Sequence, residues 1–331
     1  MIMNEDENEW IDDFINMYFS YDAIDIHQGF ALKDQYIPKK LYRYRPLSNG
    51  KEDRTFQEIA SQTVCLSRAN KLNDPFDCVG YCDIEKAVEI LPQHRIDGFI
   101  SVFDSYEETQ RIPREELLRG LKGDNWFVNI QKLINKYCPE DWKPIIYDVF
   151  LGWKTMFETE AFNIGRIAKE RMALCSFTES NTNMPMWNFY ADEYRGVCIE
   201  YNMDLLPKGS AYRRMMFPVL YADDLFNVTK YTSISPRSAI HDLGVRIAIQ
   251  KHTDWQYEKE WRIAADLEKC QEETEGRFDQ TISFPFISAI YMGKEINDMH
   301  EKRLQAISQE MRIPLSKMAL GLKGVEFTEK L

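Results

Sequence analysis

One stretch limits the architecture more than any other. Residues 84–172 read as helix almost throughout, with segments near 84–91, 95–107, 113–121 and 124–136 leading into a long run from 140 to 171. Short apolar strands flank it. Upstream lie KLYRYRPL (40–47), a helix near 53–62, and TVCLS (63–67); downstream lie MALCSF (172–177), a short helix MPMWNFYADE (184–193), and RGVCIEY (195–201). MMFPVLYA (215–222), WQYEKEWRIAA (255–265), QTISFPF (280–286) and ISAIYMG (287–293) continue the strands, with helices near 236–252 and 295–311 and a closing strand pair in MALGLKGVEF (318–327). Mixed strands with segregated helices indicate α+β. The helical block is then an insertion into a sheet or a separate helical subdomain. The expected division is an N-terminal helical extension over 1–35 and a single α+β domain over 36–331, interrupted at about 84–172.

The N-terminal NEWIDDFINMYFS (8–20) places Trp10, Ile11, Phe14, Ile15, Tyr18 and Phe19 at helical spacing. This amphipathic helix docks either on its own domain or on a partner protein such as an antitoxin. Apolar residues make up 44% of the chain, enough for a large core, while the net charge of −12 argues against nonspecific binding to a nucleic-acid backbone and leaves room for a local basic cleft. The seven cysteines (65, 78, 82, 138, 175, 198, 270) include no C-x-x-C, and the five histidines form no metal-spaced set, so neither a disulfide framework nor a metal site is expected. The acidic N-terminus lacks the apolar segment of a signal peptide, and no apolar run approaches the roughly 20 residues that span a bilayer. A cytoplasmic protein without membrane contact is expected.

Most familiar catalytic motifs are missing: G-x-x-x-x-G-K-[ST], G-x-G-x-x-G, G-x-S-x-G and H-E-x-x-H do not occur. What remains is a set of polar residues within apolar strands. Arg43 alternates with Tyr42 and Tyr44 and needs an anion: either an internal carboxylate (Asp74, Asp77 or Glu258) or a ligand phosphate. Ser67 ends one strand and Ser176 sits within another. Asn73-Asp74-Pro75 is loop chemistry. Trp187 and Tyr190, three apart on a short helix, are core anchors or a platform for an aromatic ring. In WQYEKEWRI, strand spacing puts Glu258, Glu260 and Arg262 on one face. That face is a solvated edge, an internal ion-pair ladder or an active site; buried, one of the paired carboxylates would have its pKa raised.

The ordered set LYRYRPL, LSRANKLNDPFD, LCSFTES, MWNFYADEYRGVCIEY and WQYEKEWRI, spanning about 40–265, resembles a widespread bacterial family, domain of unknown function 2971. It departs modestly: Arg43 stands where lysine or histidine is also common, and Asp77 where glutamate is frequent. More distantly, a strand with a basic position, a strand with a serine and a late strand with E-x-E resemble the layout of ADP-ribosyltransferases. That resemblance implies a mixed or split, antiparallel-rich sheet core that binds NAD in a cleft. It further implies that Arg43, beside Tyr44, contacts NAD and that Ser176 or Ser67 supports the nicotinamide pocket. Trp187 or Tyr190 would stack on the ring. Glu260 would be the catalytic carboxylate, with Glu258 orienting a protein or nucleic-acid acceptor; Asn73, Asp74 and Arg262 would shape the site. The implied role is an NAD-dependent effector or toxin, including antiviral defence. Two alternatives stand beside it: a noncatalytic interaction or sensor module of a defence or toxin–antitoxin system, and a Mg²⁺-dependent nuclease using Asp74, Asp77 and the E-x-E carboxylates.

Overall fold

The computed structural model describes residues 9–19, 23–47, 54–72, 74–89, 91–233, 236–267, 281–322 and 324–329; Asn73 lies outside them. The helices are α1 (Glu9–Tyr18), α2 (Ala23–Tyr36), α3 (Arg54–Ser61), α4 (Ile84–Glu89), α5 (Gln93–Phe103), α6 (Arg114–Lys122), α7 (Trp126–Tyr137), α8 (Lys143–Arg171), α9 (Met184–Phe189), α10 (Ala211–Met215), α11 (Pro236–Ala248) and α12 (Asp298–Met311). The strands are β1 (Lys40–Arg45), β2 (Thr63–Cys65), β3 (Ser67–Arg68), β4 (Gly80–Tyr81), β5 (Met172–Thr178), β6 (Val197–Asn202), β7 (Met216–Pro218), β8 (Leu220–Ala222), β9 (Phe226–Asn227), β10 (Gln250–His252), β11 (Glu260–Asp266), β12 (Thr281–Ser283), β13 (Ile287–Met292), β14 (Leu315–Gly321) and β15 (Gly324–Glu329). The fold is α+β with a mixed sheet. Among the described residues no helix is long and apolar enough to cross a membrane.

Two compact units divide the chain: residues 1–77, 172–223 and 249–331, and residues 78–171 and 224–248. The first holds a nine-stranded sheet in the order β15-β14-β13-β6-β1-β5-β11-β7, with β3 also on β5. Its pairs are antiparallel except β13 with β14. One face of this sheet carries the main core, in which Leu41, Phe177, Ile199 and Ile263 pack with Phe56 and Ile59 of α3 and Leu304 of α12. On the other face Tyr44, Trp187, Cys198 and Met318 form a smaller cluster. The entry into β6 depends on Gly196. A Cβ there would lie 2.3 Å from the Arg45 carbonyl oxygen, so only glycine lets the left-handed run Asp192–Tyr194 feed a strand alongside β1.

The helix over residues 9–18 packs within its own unit. Phe14 and Tyr18 are buried, Trp10 stacks on Tyr36 at 4.1 Å between ring centroids and reaches Trp261 at 6.4 Å, and Phe14 packs on Phe217. Of the two settings expected for this aromatic face, its own domain or a partner, these contacts are of the first kind.

The second unit is the helical block, joined by the segment 224–248. Its core gathers Phe99, Leu117, Trp126, Ile130, Phe150 and Phe157 from α5 to α8, and the Trp126 indole N–H donates to the Val88 carbonyl at 2.6 Å.

Four expected elements break where a tertiary partner takes over, and MMFPVLYA is one of them: it splits into β7, paired with β11, and β8, paired with β10. TVCLS splits into β2, paired with β12, and β3, paired with β5. The helix expected to 252 stops at Ala248, because Gln250–His252 pair in parallel with Leu220–Ala222. WQYEKEWRI is only half a strand: residues 253–258 form a 3-10 turn, Lys259 adopts left-handed φ +44°, and β11 begins at Glu260.

Candidate functional site

The site forms where β1 and β5 part. Tyr42 pairs with Thr178, the one register pair between these strands, and farther along β5 its partner is β3, through Ser67↔Leu174 and Arg68↔Ala173. Between the two, Cys175, Ser176 and Phe177 line a cavity of about 340 Å³, a size within the range of roughly 300–1,000 Å³ usual for small-molecule sites. Arg43, Tyr44, Ser67, Tyr190, Glu258, Glu260 and Arg262 line it too, all from the first unit. Trp187 and Asp74 do not.

Cross-strand register explains the convergence. Glu260 pairs with Thr178, and Arg262 with Ser176, so these side chains leave the same face of the sheet. Glu258 joins them by another route. The left-handed Lys259 turns the chain so that the last residue of the 3-10 turn points beside the first residue of β11. The sequence expectation of one face was met, but for Glu258 by a turn rather than by strand periodicity.

On that face a chain of alternating charge is buried. Asp77 takes both Nη groups of Arg262 at 2.8 and 2.7 Å, and Arg262 Nε donates to Glu260 Oε1 at 2.8 Å. Lys251 Nζ donates to Glu260 Oε2 at 3.0 Å and to Glu258 Oε2 at 2.6 Å, and the Tyr190 hydroxyl donates to Glu258 Oε1 at 2.8 Å. Arg262 is 1% exposed, Glu258 2% and Glu260 4%, which removes the solvated-edge reading. The two glutamates differ electrostatically. Burial pushes the Glu258 carboxyl up, against the pull of Lys251. For Glu260 burial acts in the same sense, but Arg262 and Lys251 overcome it and hold the carboxyl down to about 2. Lys251 keeps its charge despite burial because Glu260 and Glu258 surround it. Its place in a segment expected to be helical hid it from sequence reasoning. Only the β8–β10 pairing turns it toward the E-x-E carboxylates.

Arg43 leaves the opposite face. Its Nη1 donates to Glu58 Oε2 at 3.0 Å and its Nη2 to the Cys65 carbonyl at 3.4 Å. The internal partner expected among Asp74, Asp77 and Glu258 is instead Glu58 of α3, a residue with no strand signal. Arg45 donates to the other oxygen of the same carboxylate at 2.9 Å. Both candidate serines line the cavity, and Ser176 pairs directly across from Arg262.

Trp187 is fully buried, packs edge-on against Tyr44 at 5.1 Å and donates its indole N–H to the Asn181 carbonyl at 2.8 Å. It anchors the core instead of offering a free ring face. The Tyr44 hydroxyl donates to the Ser180 carbonyl at 2.9 Å, and Asp74 accepts the Phe76 amide at 2.8 Å in a local turn. Among the described residues no group of three His, Cys, Asp or Glu is placed to hold a metal ion. The cavity carboxylates Asp77, Glu258 and Glu260 each face a cation, and Asp74 lies outside the cavity.

Comparison with curated proteins and with solved structures gives no match. Residues 186–263, which contain Trp187, Tyr190, Lys251 and the whole of WQYEKEWRI, match the model of the family described as "Protein of unknown function (DUF2971)", and over this stretch the chain is similar to that family.

Proposed function

We propose that the cavity binds NAD and that the protein is an ADP-ribosyltransferase-like enzyme, an effector or toxin of a defence system acting on a protein or nucleic acid. One observation carries the reading: adjacent strands β1, β5 and β11 bring Tyr44, Ser176 and Glu260 to a single cavity. In this reaction the glycosidic bond between ribose C1′ and the nicotinamide nitrogen breaks, its electron pair leaves with nicotinamide, and positive charge builds on the ribose. A fixed carboxylate stabilises that charge. Glu260, ionised far below neutral pH, is suited to it. The acceptor then attacks C1′ and loses a proton. Glu258, with its raised affinity for protons, is placed to receive it. Tyr190, half-buried at the cavity wall, is the aromatic group left to face nicotinamide.

A second reading has its own observation. The Asp77–Arg262–Glu260–Lys251–Glu258 chain is satisfied at every link, as a network that only holds the fold of a noncatalytic module would be.

Calorimetry with NAD, followed by release of nicotinamide from NAD by wild type and Glu260→Gln, separates the two. The enzyme reading expects binding, and turnover that drops at least a hundredfold in the variant. Absence of NAD binding at millimolar ligand sinks it, and binding with no release of nicotinamide under any acceptor condition favours the module.

A further inference from the structure

The cavity has a second charged end whose accounts do not balance. Arg43, Arg45, Lys71, Lys251 and Arg262 line it. Lys251 and Arg262 are matched by Asp77, Glu258 and Glu260. Arg43 and Arg45 share one carboxylate, Glu58. Lys71, exposed on the 3-10 turn that follows β3, has no hydrogen-bond or ion-pair partner among the described residues. An arginine brings five N–H donors. Arg45 spends one on Glu58, and its Nε is buried with no acceptor. The Tyr201 hydroxyl, buried beside Arg43, Arg45 and Glu58, also lacks a partner. Unsatisfied buried donors are uncommon because each one costs free energy. Here two of them accompany an excess of positive charge, in a protein whose net charge is −12.

We propose that Arg45 and Lys71 form an anion seat in this cavity and that the ligand group it takes is the diphosphate of a nucleotide. The identity of that ligand rests on the NAD reading above; the seat itself rests on the charge and hydrogen-bond inventory. A guanidinium matches phosphoryl oxygens with paired N–H groups, and an ammonium adds a point charge. Arg43 is not the contact. Its guanidinium is committed to Glu58 and the Cys65 carbonyl and is 9% exposed, so its part is to hold Glu58 and, through it, Arg45. Burial and the neighbouring Arg43 both push Arg45 below the ordinary arginine value, the direction expected of a cation that lacks its full share of anions.

The test is titration calorimetry of wild type, Arg45→Met and Lys71→Met with four probes: inorganic pyrophosphate, ADP-ribose, NAD and nicotinamide riboside. The seat predicts that each variant weakens the three diphosphate probes tenfold or more, flattens their salt dependence, and leaves nicotinamide riboside within twofold. Lys71→Met keeps the test valid if Arg45→Met fails to fold, since Lys71 is exposed and bonded to nothing described. Unchanged affinity for NAD in both variants overturns the seat and leaves the NAD reading standing. Pyrophosphate binding that needs Arg45 and Lys71, with no binding of NAD or nicotinamide riboside, upholds the seat and overturns the NAD reading. No binding of any diphosphate by wild type overturns both.

Discussion

Two buried charge clusters flank the same fork in the sheet, and they are built differently. On one face Asp77, Arg262, Glu260, Lys251 and Glu258 alternate in sign, each hydrogen-bonded to its neighbours. On the other, Arg43 and Arg45 converge on Glu58 alone. A charge in the first cluster cannot be removed without stranding an opposite charge in a dry interior. In the second, one cation is already surplus. Burial by itself therefore does not tell how much an arginine contributes; the number of anions it must balance does.

The sharpest way to break this comparison is to remove one buried arginine from each side. Arg262→Met leaves Asp77 and Glu260 without their shared cation, and should lower unfolding free energy by about 3–5 kcal/mol in urea titration. Arg43→Met leaves Glu58 paired with Arg45 and removes a like-charge repulsion, so its expected cost is about 1 kcal/mol or less. Equal costs would erase the distinction.

Lys251→Met comes next, at about 2–3 kcal/mol near neutral pH, because both glutamates then lose their common donor. Its cost should grow as pH rises above the ordinary glutamate range, since Glu258, shifted upward, takes a proton at the acid end and relieves the repulsion. A pH-independent cost would mean that Lys251 does not hold the pair.

The wild type's own pH dependence is subtler, because the two glutamates act in opposite senses. Glu260 titrates near 2 when folded. Below its unfolded value of about 4.3 the unfolded chain binds the extra proton, so the stability it contributes is lost as pH falls from there toward 2. Glu258 is shifted upward, so between its unfolded and its higher folded value the native state holds more protons. Its contribution therefore falls as pH rises through that window. Denaturation midpoints measured against pH in wild type and Glu258→Gln should differ in that upper window and coincide below it.

The smallest effect concerns the turn that joins the glutamates. Lys259 adopts left-handed φ +44° with an exposed side chain. Lys259→Gly should stabilise by about 0.5 kcal/mol, the relief of Cβ strain less the entropy glycine adds to the unfolded chain. A loss instead would mean that the lysine side chain contributes to the fold.

Much of the architecture was legible along the chain. The helical block between strands, the strands at 40–47, 172–177 and 195–201, and the shared face of Glu260 and Arg262 follow from periodicity, which is local; Glu258 joins that face through a turn. The errors share one cause. A strand ends where its partner changes, as in TVCLS and MMFPVLYA, and no residue inside those stretches announces which partner it will meet. Glu58 sits in a helix of eight residues and reads as a solvated acid, yet it is 6% exposed and holds two arginines. Trp187 looked as available as Tyr190. Packing buried the first and left the second at the cavity wall.

By itself the sequence determined the class of fold, the order of its elements, and the presence in WQYEKEWRI of carboxylates too close together to stay uncompensated. Apolar periodicity and charge spacing act over a few residues, so both are written in the chain. Which cation compensates those carboxylates, and which arginine is left with surplus charge, was decided only by tertiary structure. Lys251, Asp77 and Glu58 reach their partners through pairings between distant segments, and the hydrogen-bonding capacity of a buried charge is met or left open only once those segments have packed.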